Sequence, residues 1–541
     1  VLPYAAWKEN LSQPVFDTIL RETAFLTAED GTSLSLRVYR PADAGDKKLP
    51  TLLQITPYQT LDRAFFEAFG YEPAEYWPAR GVVFVEADAR GTHSSGGCLD
   101  FGGEKDRNDA RKFGEWIVAQ PWSDGRLMVE GVSHPGMGVL VAAVAGVPGY
   151  AGGFAHAPVS SYYMDEWMNG AKFDTQLNGP AYTAIETLPT FDADPASLAN
   201  QFGGTCQGDT MLQFSTGDGT LTPWFKEKDL NLLTGNVDQP LLLTIGFLDM
   251  NVFPDHVHRF WEGIRHRSDA RLIMGYWVHG YPVFDGYRIE DYGDYQQRWI
   301  DAALLNVSNG LDAEPRVVIE DNRGGWHELS DWPPPLAVNT TLYATTEGTL
   351  AAEAPGEGEA SWVDDPQATR DRWPANAHLL FATEPLAEDQ WITGSPYVEL
   401  VASSSADWTK YVAYLFDVAP DGSRMRVSHG YIDSRFPNGL EQAAPPAPGE
   451  KARYAFHLLP TAHVVEKGNQ LALVVASSDN ALTDEGYTQC PETPSGGCYN
   501  PSGIQPSPDA NARNTAYLGV DGTRVSVWVA APGEGLLEKG E

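Results

Sequence analysis

The chain has 541 residues, too many for a single hydrophobic core, so two or three domains are expected. With 42% hydrophobic and 20% charged residues it reads as an ordinary soluble globular protein. Its formal net charge of −36 argues against nucleic acid or an anionic membrane as partner, and the field serves either solubility alone or the attraction of cationic substrates such as free amino termini.

From about residue 20 to 160, strand and helix patterns alternate. Ser33-Leu-Ser-Leu-Arg-Val-Tyr39 alternates like a strand, and Thr51-Leu-Leu-Gln-Ile-Thr56 is a short apolar run between two prolines. Gly81-Val-Val-Phe-Val-Glu-Ala-Asp88 is the kind of run that a parallel sheet buries on both faces. Residues 104–119 form an amphipathic helical pattern with Phe113, Trp116 and Ile117 on one face. Leu127-Met-Val-Glu-Gly-Val-Ser133 is a third strand, followed by a small-residue helix over Val139–Ala145. This alternation predicts an α/β fold, a parallel sheet covered by helices.

Residues 161–239 lose that rhythm and are rich in Tyr, Trp, Asn and Gly, which predicts a helical insertion over the sheet. The β/α pattern resumes with a strand at 241–246, a helix at 256–267, a strand at 270–275 and a helix at 294–305. A boundary falls at Trp332-Pro-Pro-Pro335. Beyond it, short alternating segments such as 397–402, 411–416, 471–476 and 525–529 predict an all-β sandwich.

Cys98, Cys206, Cys490 and Cys498 include no C-x-x-C pair, which argues against a zinc site. Cys490 and Cys498 flank a loop that a disulfide would close, which leaves Cys98 and Cys206 for a second bridge; four unpaired thiols is the competing reading. An even count with one close pair slightly favours an extracellular, secreted setting over a cytoplasmic one. No stretch approaches the ~20 apolar residues that span a bilayer.

The most informative segment is Val129-Glu-Gly131-Val-Ser133-His134-Pro135-Gly136. An apolar strand ends, a serine follows and a small-residue helix begins, which is how a nucleophile is held in a tight turn with its Oγ exposed. The second glycine comes one position later than in G-x-S-x-G, with Pro135 between, and proline is tolerated in a first helical turn. In this fold the acid and base follow the nucleophile in the order Ser, Asp, His. Asp249 lies three residues after the strand ending at Gly246, and His279 just after the strand ending at Gly275. Both therefore fall at carboxyl ends of strands, where open α/β sheets place their sites. Ser133 is the candidate nucleophile, His279 the base and Asp249 the orienting carboxylate of an acyl transfer that needs no metal or organic cofactor.

These residues resemble the cocaine esterase-like hydrolases, a family that also includes X-Pro dipeptidyl peptidases and α-amino-acid ester hydrolases. Gly131-Val-Ser133-His-Pro-Gly136 is similar to the family's G-x-S-Y-x-G. Asp88-Ala-Arg90-Gly91-Thr92 with Ser95-Gly96, Gly275-Tyr-Trp277-Val-His279-Gly280 and Asp417-Val-Ala-Pro-Asp-Gly422 resemble further motifs in order. The resemblance runs from about residue 20 to 530. It implies an α/β-hydrolase catalytic domain over 1–160 and 240–335, a helical cap over 161–239 and a C-terminal jelly-roll over 336–541. It also implies an oxyanion hole from a tyrosine hydroxyl and the amide after the serine, which here are Tyr58, in Thr56-Pro57-Tyr58, and His134. His134 stands where the family has tyrosine. Asp165-Glu166-Trp167 resembles part of the carboxylate cluster that holds a substrate ammonium in α-amino-acid ester hydrolases, but Asn251 and Val252 occupy the places of the partner acids. Asp165, Glu166, Trp167 and Tyr162 are candidate substrate contacts, with cap packing as the alternative for the aromatic ones and a solvated cap surface as the alternative for the two acids.

The expected function is hydrolysis of esters or amides of small molecules or short peptides. Removal of X-Pro dipeptides is the alternative, and a homo-oligomer is compatible with the sequence. A non-catalytic binding protein on a hydrolase scaffold is the alternative of another class, and the intact Ser-Asp-His order argues against it.

Overall fold

The apolar runs of the first half pair into one ten-stranded sheet in a computed structural model, which describes residues 3–58, 72–173, 217–366, 368, 373–479, 504 and 511–537. Its strands are β1 (Ile19–Thr27), β2 (Ser33–Pro41), β3 (Leu49–Thr56), β4 (Val83–Asp88), β5 (Ser123–Val132), β6 (Tyr150–His156), β9 (Leu241–Gly246), β10 (Ala270–Gly275), β11 (Val317–Glu320) and β12 (Trp326–Leu329). They lie in the order β1-β2-β4-β3-β5-β6-β9-β10-β11-β12. From β4 to β11 every pairing is parallel. The edges depart from the parallel expectation, since β1, β2 and β12 run antiparallel to their neighbours. Alternation in sequence reveals a strand but not its direction. The short Asp30-Gly31 turn between β1 and β2 permits only a hairpin.

The described helices are α1 (Tyr4–Lys8), α2 (Pro73–Ala79), α3 (Glu104–Val118), α4 (His134–Ala145), α5 (Tyr162–Glu166), α6 (Pro223–Glu227), α7 (Asp255–Ile264) and α8 (Tyr292–Leu304). Phe113 and Ile117 of α3, the apolar face of α4, and Val257, Phe260 and Trp261 of α7 share one core with the sheet. Trp7, Trp77, Trp299 and Ile300 form a second core, with Met128 and Phe154 contributed by the sheet's other face. The helix foreseen at Val139 begins five residues earlier, at His134, because Pro135 in its first turn brings a preset φ and costs no hydrogen bond.

The Asp88-to-Gly96 motif braces the sheet near the site. Arg37 forks onto Asp88 at 2.7 and 3.1 Å, and Arg90 forks onto Asp109 of α3 at 2.8 Å twice. Ser95 Oγ donates to the Asp88 carbonyl at 2.9 Å and accepts from the Ser35 amide at 2.9 Å. Removing one member of such a buried pair would leave an uncompensated charge, so the motif reads as structural.

In the stretch read as a helical cap, the described residues give the short α5 and α6 and a 3-10 turn over Leu230–Asn236. They also form a two-stranded hairpin of β7 (Trp167–Met168) and β8 (Ala171–Lys172) that the sequence reading did not foresee. Strands this short carry no periodicity to read. Residues 174–216 of that stretch lie outside the described set.

Beyond the proline-rich boundary the strands are β13 (Val338–Ala344), β14 (Leu350–Ala351), β15 (Gly358–Val363), β16 (His378–Ala382), β17 (Gln390–Ser404), β18 (Lys410–Val418), β19 (Arg424–Asp433), β20 (Ala452–His457), β21 (Thr461–Val465), β22 (Gln470–Ala476), β23 (Arg513–Leu518) and β24 (Arg524–Ala530). An eight-stranded sheet built around β17 faces a four-stranded sheet ordered β16-β22-β18-β19, with Leu400, Leu415, Leu473 and Val525 packed between them. The outer face of the smaller sheet is buried as well. Tyr414, Tyr431 and Val474 share a cluster with Phe173 beyond β8 and with Met250 and Phe253 of the loop after β9. Phe173 lies 4.6 Å from Phe253 and 6.3 Å from Tyr431, centroid to centroid. Among the described residues no helix is long and apolar enough to cross a membrane.

Candidate active site

Strand β5 ends at Val132 and α4 starts at His134, so Ser133 alone makes the turn, at φ 64° and ψ −124°. A non-glycine residue avoids that region unless its surroundings hold it there. The Ser133 amide donates to the His156 carbonyl at the end of β6, at 2.9 Å, and its carbonyl accepts from the Met137 amide at 3.0 Å. Close approach of the backbone does the rest. A Cβ on Gly131 would lie 2.3 Å from the Pro135 carbonyl carbon, and one on Gly136 would lie 2.7 Å from the His156 carbonyl oxygen. The two glycines of the motif, including the late one, are thus required by strand-to-helix contact. Gly131→Ala is expected to lower stability by about 1–3 kcal/mol through overpacking. It should also slow covalent labelling of Ser133 by a fluorophosphonate; calorimetry and a labelling time course check both.

Asp249 and His279 occupy the loops after β9 and β10, at the same sheet edge as Ser133. Asp249 is fully buried. Its Oδ1 accepts from the amides of Asn251 at 3.0 Å and Val252 at 2.9 Å, and its Oδ2 lies 2.8 Å from His279 Nδ1. Asn251 and Val252, the departures from the family's acidic cluster, therefore serve the acid through their backbone. Burial pushes the His279 pKa down, but the charge of Asp249, its hydrogen bond and the charge of Asp165 outweigh burial and leave it above the ordinary 6.5. As the expected base, His279 would have to be neutral to accept a proton, so turnover should fall as pH drops through that raised value. The acid limb of kcat/KM is expected above pH 6.5, and Asp165→Asn should move it to lower pH; a pH–rate profile of both proteins checks this.

Tyr58 follows β3, and its amide is held by Thr56 Oγ1 at 3.0 Å. Its ring meets the His134 ring edge-on at 6.2 Å. The structure thus places the Tyr58 ring against that of His134, the two residues expected to supply the oxyanion donors. His134 is buried, and burial pushes its ring down to a pKa of about 3, so the side chain in the family's tyrosine position is neutral here. Its amide belongs to the amino end of α4, which favours negative charge.

The cap candidates are buried rather than solvated. Tyr162 stacks on Phe101 at 4.1 Å and meets Trp224 at 5.9 Å, and Trp167 joins the same cluster with Tyr163 and Phe225. Asp165 and Glu166 are 3% and 1% exposed. Burial, then the charge of Asp165, raises the Glu166 carboxyl well above its usual range. Cys98 is disulfide-bonded; Cys206, Cys490 and Cys498 lie outside the described residues. Among the described residues no group of three or more His, Cys, Asp or Glu is arranged to hold a metal ion.

Sequence reasoning passed over His156. Its imidazole lies beneath these loops, with Nδ1 2.9 Å from Thr244 Oγ1 and 3.2 Å from the Tyr292 hydroxyl. Those partners come from β9 and α8, so no local signal marks it.

Comparison with known proteins gives a consistent result. The family model for X-Pro dipeptidyl-peptidase (S15 family) matches residues 30–281, and that for the X-Pro dipeptidyl-peptidase C-terminal non-catalytic domain matches residues 309–494. The cocaine esterase of Rhodococcus sp. is 26% identical over 518 residues, covering 83% of this chain and 89% of that protein. The Xaa-Pro dipeptidyl-peptidase of Lacticaseibacillus paracasei is 24% identical over 498 residues, covering 78% of this chain and 62% of that protein. A solved α-amino acid ester hydrolase superposes with a TM-score of 0.71 at 20% identity, covering 96% of this chain and 98% of that one, a likeness of fold.

Proposed function

The chain belongs to the X-Pro dipeptidyl-peptidase (S15) family of α/β-hydrolase serine enzymes, and on that premise we propose that Ser133, His279 and Asp249 carry out its hydrolysis of ester or amide bonds. The observation that carries this reading is the Ser133 turn, held at positive φ where β5 ends, together with a hydrogen-bonded Asp249–His279 pair in the loops where β9 and β10 of the same sheet end. In it, His279 takes the Ser133 proton as Oγ attacks the carbonyl, and the imidazolium then protonates the leaving group. Asp249 holds the Nδ1–H tautomer. Water activated by His279 releases the acyl group.

The Tyr58 hydroxyl and the His134 amide donate to the oxyanion. Tyr58→Phe is expected to lower kcat about 10²–10³-fold, as loss of one oxyanion donor does elsewhere, with little change in KM. Steady-state kinetics on a p-nitrophenyl ester checks this. The domain division follows the same reading: catalytic residues 1–160 and 240–335, cap 161–239, sandwich 336–541.

A second reading, release of X-Pro dipeptides from free amino termini, is favoured by Asp165. Its charge reaches His279 from a buried position at the start of the cap, where a substrate ammonium would be stabilised. The deciding experiment compares p-nitrophenyl butyrate, Gly-Pro-p-nitroanilide and N-acetyl-Gly-Pro-p-nitroanilide. Ester turnover alone supports a general esterase. Anilide turnover that acetylation removes supports the dipeptidyl peptidase and predicts its loss in Asp165→Asn. No turnover of any substrate, together with no fluorophosphonate labelling of Ser133, would overturn the catalytic reading.

A further inference from the structure

His156 lies at the end of β6 with none of its side chain exposed, and it touches each of the three segments that carry the proposed triad. Its carbonyl accepts the Ser133 amide and sets the closest approach of Gly136, so the nucleophile's turn is built against this residue. Its Nδ1 meets the hydroxyl of Thr244, its register partner on β9, five residues before Asp249. Its ring lies 4.9 Å from that of Tyr281, two residues past His279, and 5.4 Å from that of Tyr292, whose hydroxyl also reaches Nδ1. Burial keeps the imidazole neutral, so Nδ1 either accepts from these hydroxyls or, in the other tautomer, donates to one of them. The other nitrogen, Nε2, is buried with no hydrogen-bond partner among the described residues, so the ring's polar contacts with them converge on Nδ1.

We propose that the imidazole of His156 is a positioning residue that fixes the height of the Ser133 turn relative to the Asp249 and His279 loops. The proposal rests on the triad reading above. A ring bonded to β9 and packed on Tyr281 resists sliding of the His279 loop over the sheet edge. Sub-ångström misplacement of a base costs rate rather than ground-state binding.

The two amide side chains separate this role from mere filling of space. Counted in bonds from Cβ, an asparagine carbonyl ends where Nδ1 is, and a glutamine carbonyl ends where Nε2 is. His156→Leu is expected to lower kcat roughly 10–100-fold with KM changed less than ~2-fold. His156→Asn should recover kcat to within ~3-fold of wild type while His156→Gln does not. Thr244→Val, which keeps shape and removes the hydroxyl, should lower kcat in the same direction even if the leucine variant does not fold. Fluorophosphonate labelling of Ser133 should slow in parallel with kcat. Equal activity of the Asn and Gln variants, a folded Leu variant with wild-type kcat, or a loss confined to KM would overturn the role of His156 alone. No Ser133 labelling in the wild-type protein would overturn the triad reading, and this proposal with it.

Discussion

Replacement of Ser133 by alanine is expected to lower turnover about 10⁵–10⁶-fold, to the level that binding and oxyanion donors sustain without a nucleophile. The substitution removes one oxygen atom and keeps Cβ. The backbone forces that hold the turn come from the Ser133 amide and carbonyl and from Gly131 and Gly136, not from Oγ. The variant should therefore melt within a degree or two of wild type, and its lost activity is then attributable to chemistry. Burst kinetics on a p-nitrophenyl ester gives the measurement. Residual turnover above about 1% of wild type would point to a different nucleophile.

Asp249→Asn is expected to lower kcat about 10⁴-fold while leaving the fold intact. The carboxylate uses its two oxygens differently, Oδ1 for the amides of Asn251 and Val252 and Oδ2 for His279. An asparagine satisfies both backbone amides only by placing its carbonyl oxygen at the Oδ1 position. Its NH₂ then faces His279 Nδ1 and forces that nitrogen to accept. The imidazole proton moves to Nε2, the atom that must take the proton from Ser133, and the base is blocked. The negative charge that raises His279 is lost as well, so the residual activity should show its acid limb at lower pH. Asp249→Ala would instead strand two amides in a buried site and confound stability with catalysis. A variant that keeps more than about a tenth of wild-type kcat would remove Asp249 from the mechanism.

The three proposed triad positions stood out in the sequence because each follows an apolar run that does form a sheet strand, and because their order along the chain matches the rule of the fold. Tyr58 was proposed, and the late Gly136 noted, through motif and spacing. The contact that makes Gly136 necessary, with the His156 carbonyl, was not, because it joins segments 20 residues apart. His156 itself stands in Gly-Phe-Ala-His-Ala-Pro, which reads like any strand end; its partners Thr244 and Tyr292 lie 88 and 136 residues away. The β7–β8 hairpin escaped for a different reason, since two-residue strands leave no period to detect.

The packing behind Asp249 also orders events in time. Met250 and Phe253 of the acid loop rest on Phe173, Tyr431 and Val474, so the far sandwich sheet forms the wall on which the loop is seated. A nascent chain that has emerged only as far as His279 holds all three proposed triad residues without that wall. Val474 follows after about 200 more residues, roughly 10–40 s of synthesis at ~5–20 residues per second. Seating of the Asp249 loop against this sheet is therefore expected only once the final third of the chain is made, and a chain truncated at its proline-rich boundary is expected to lose turnover.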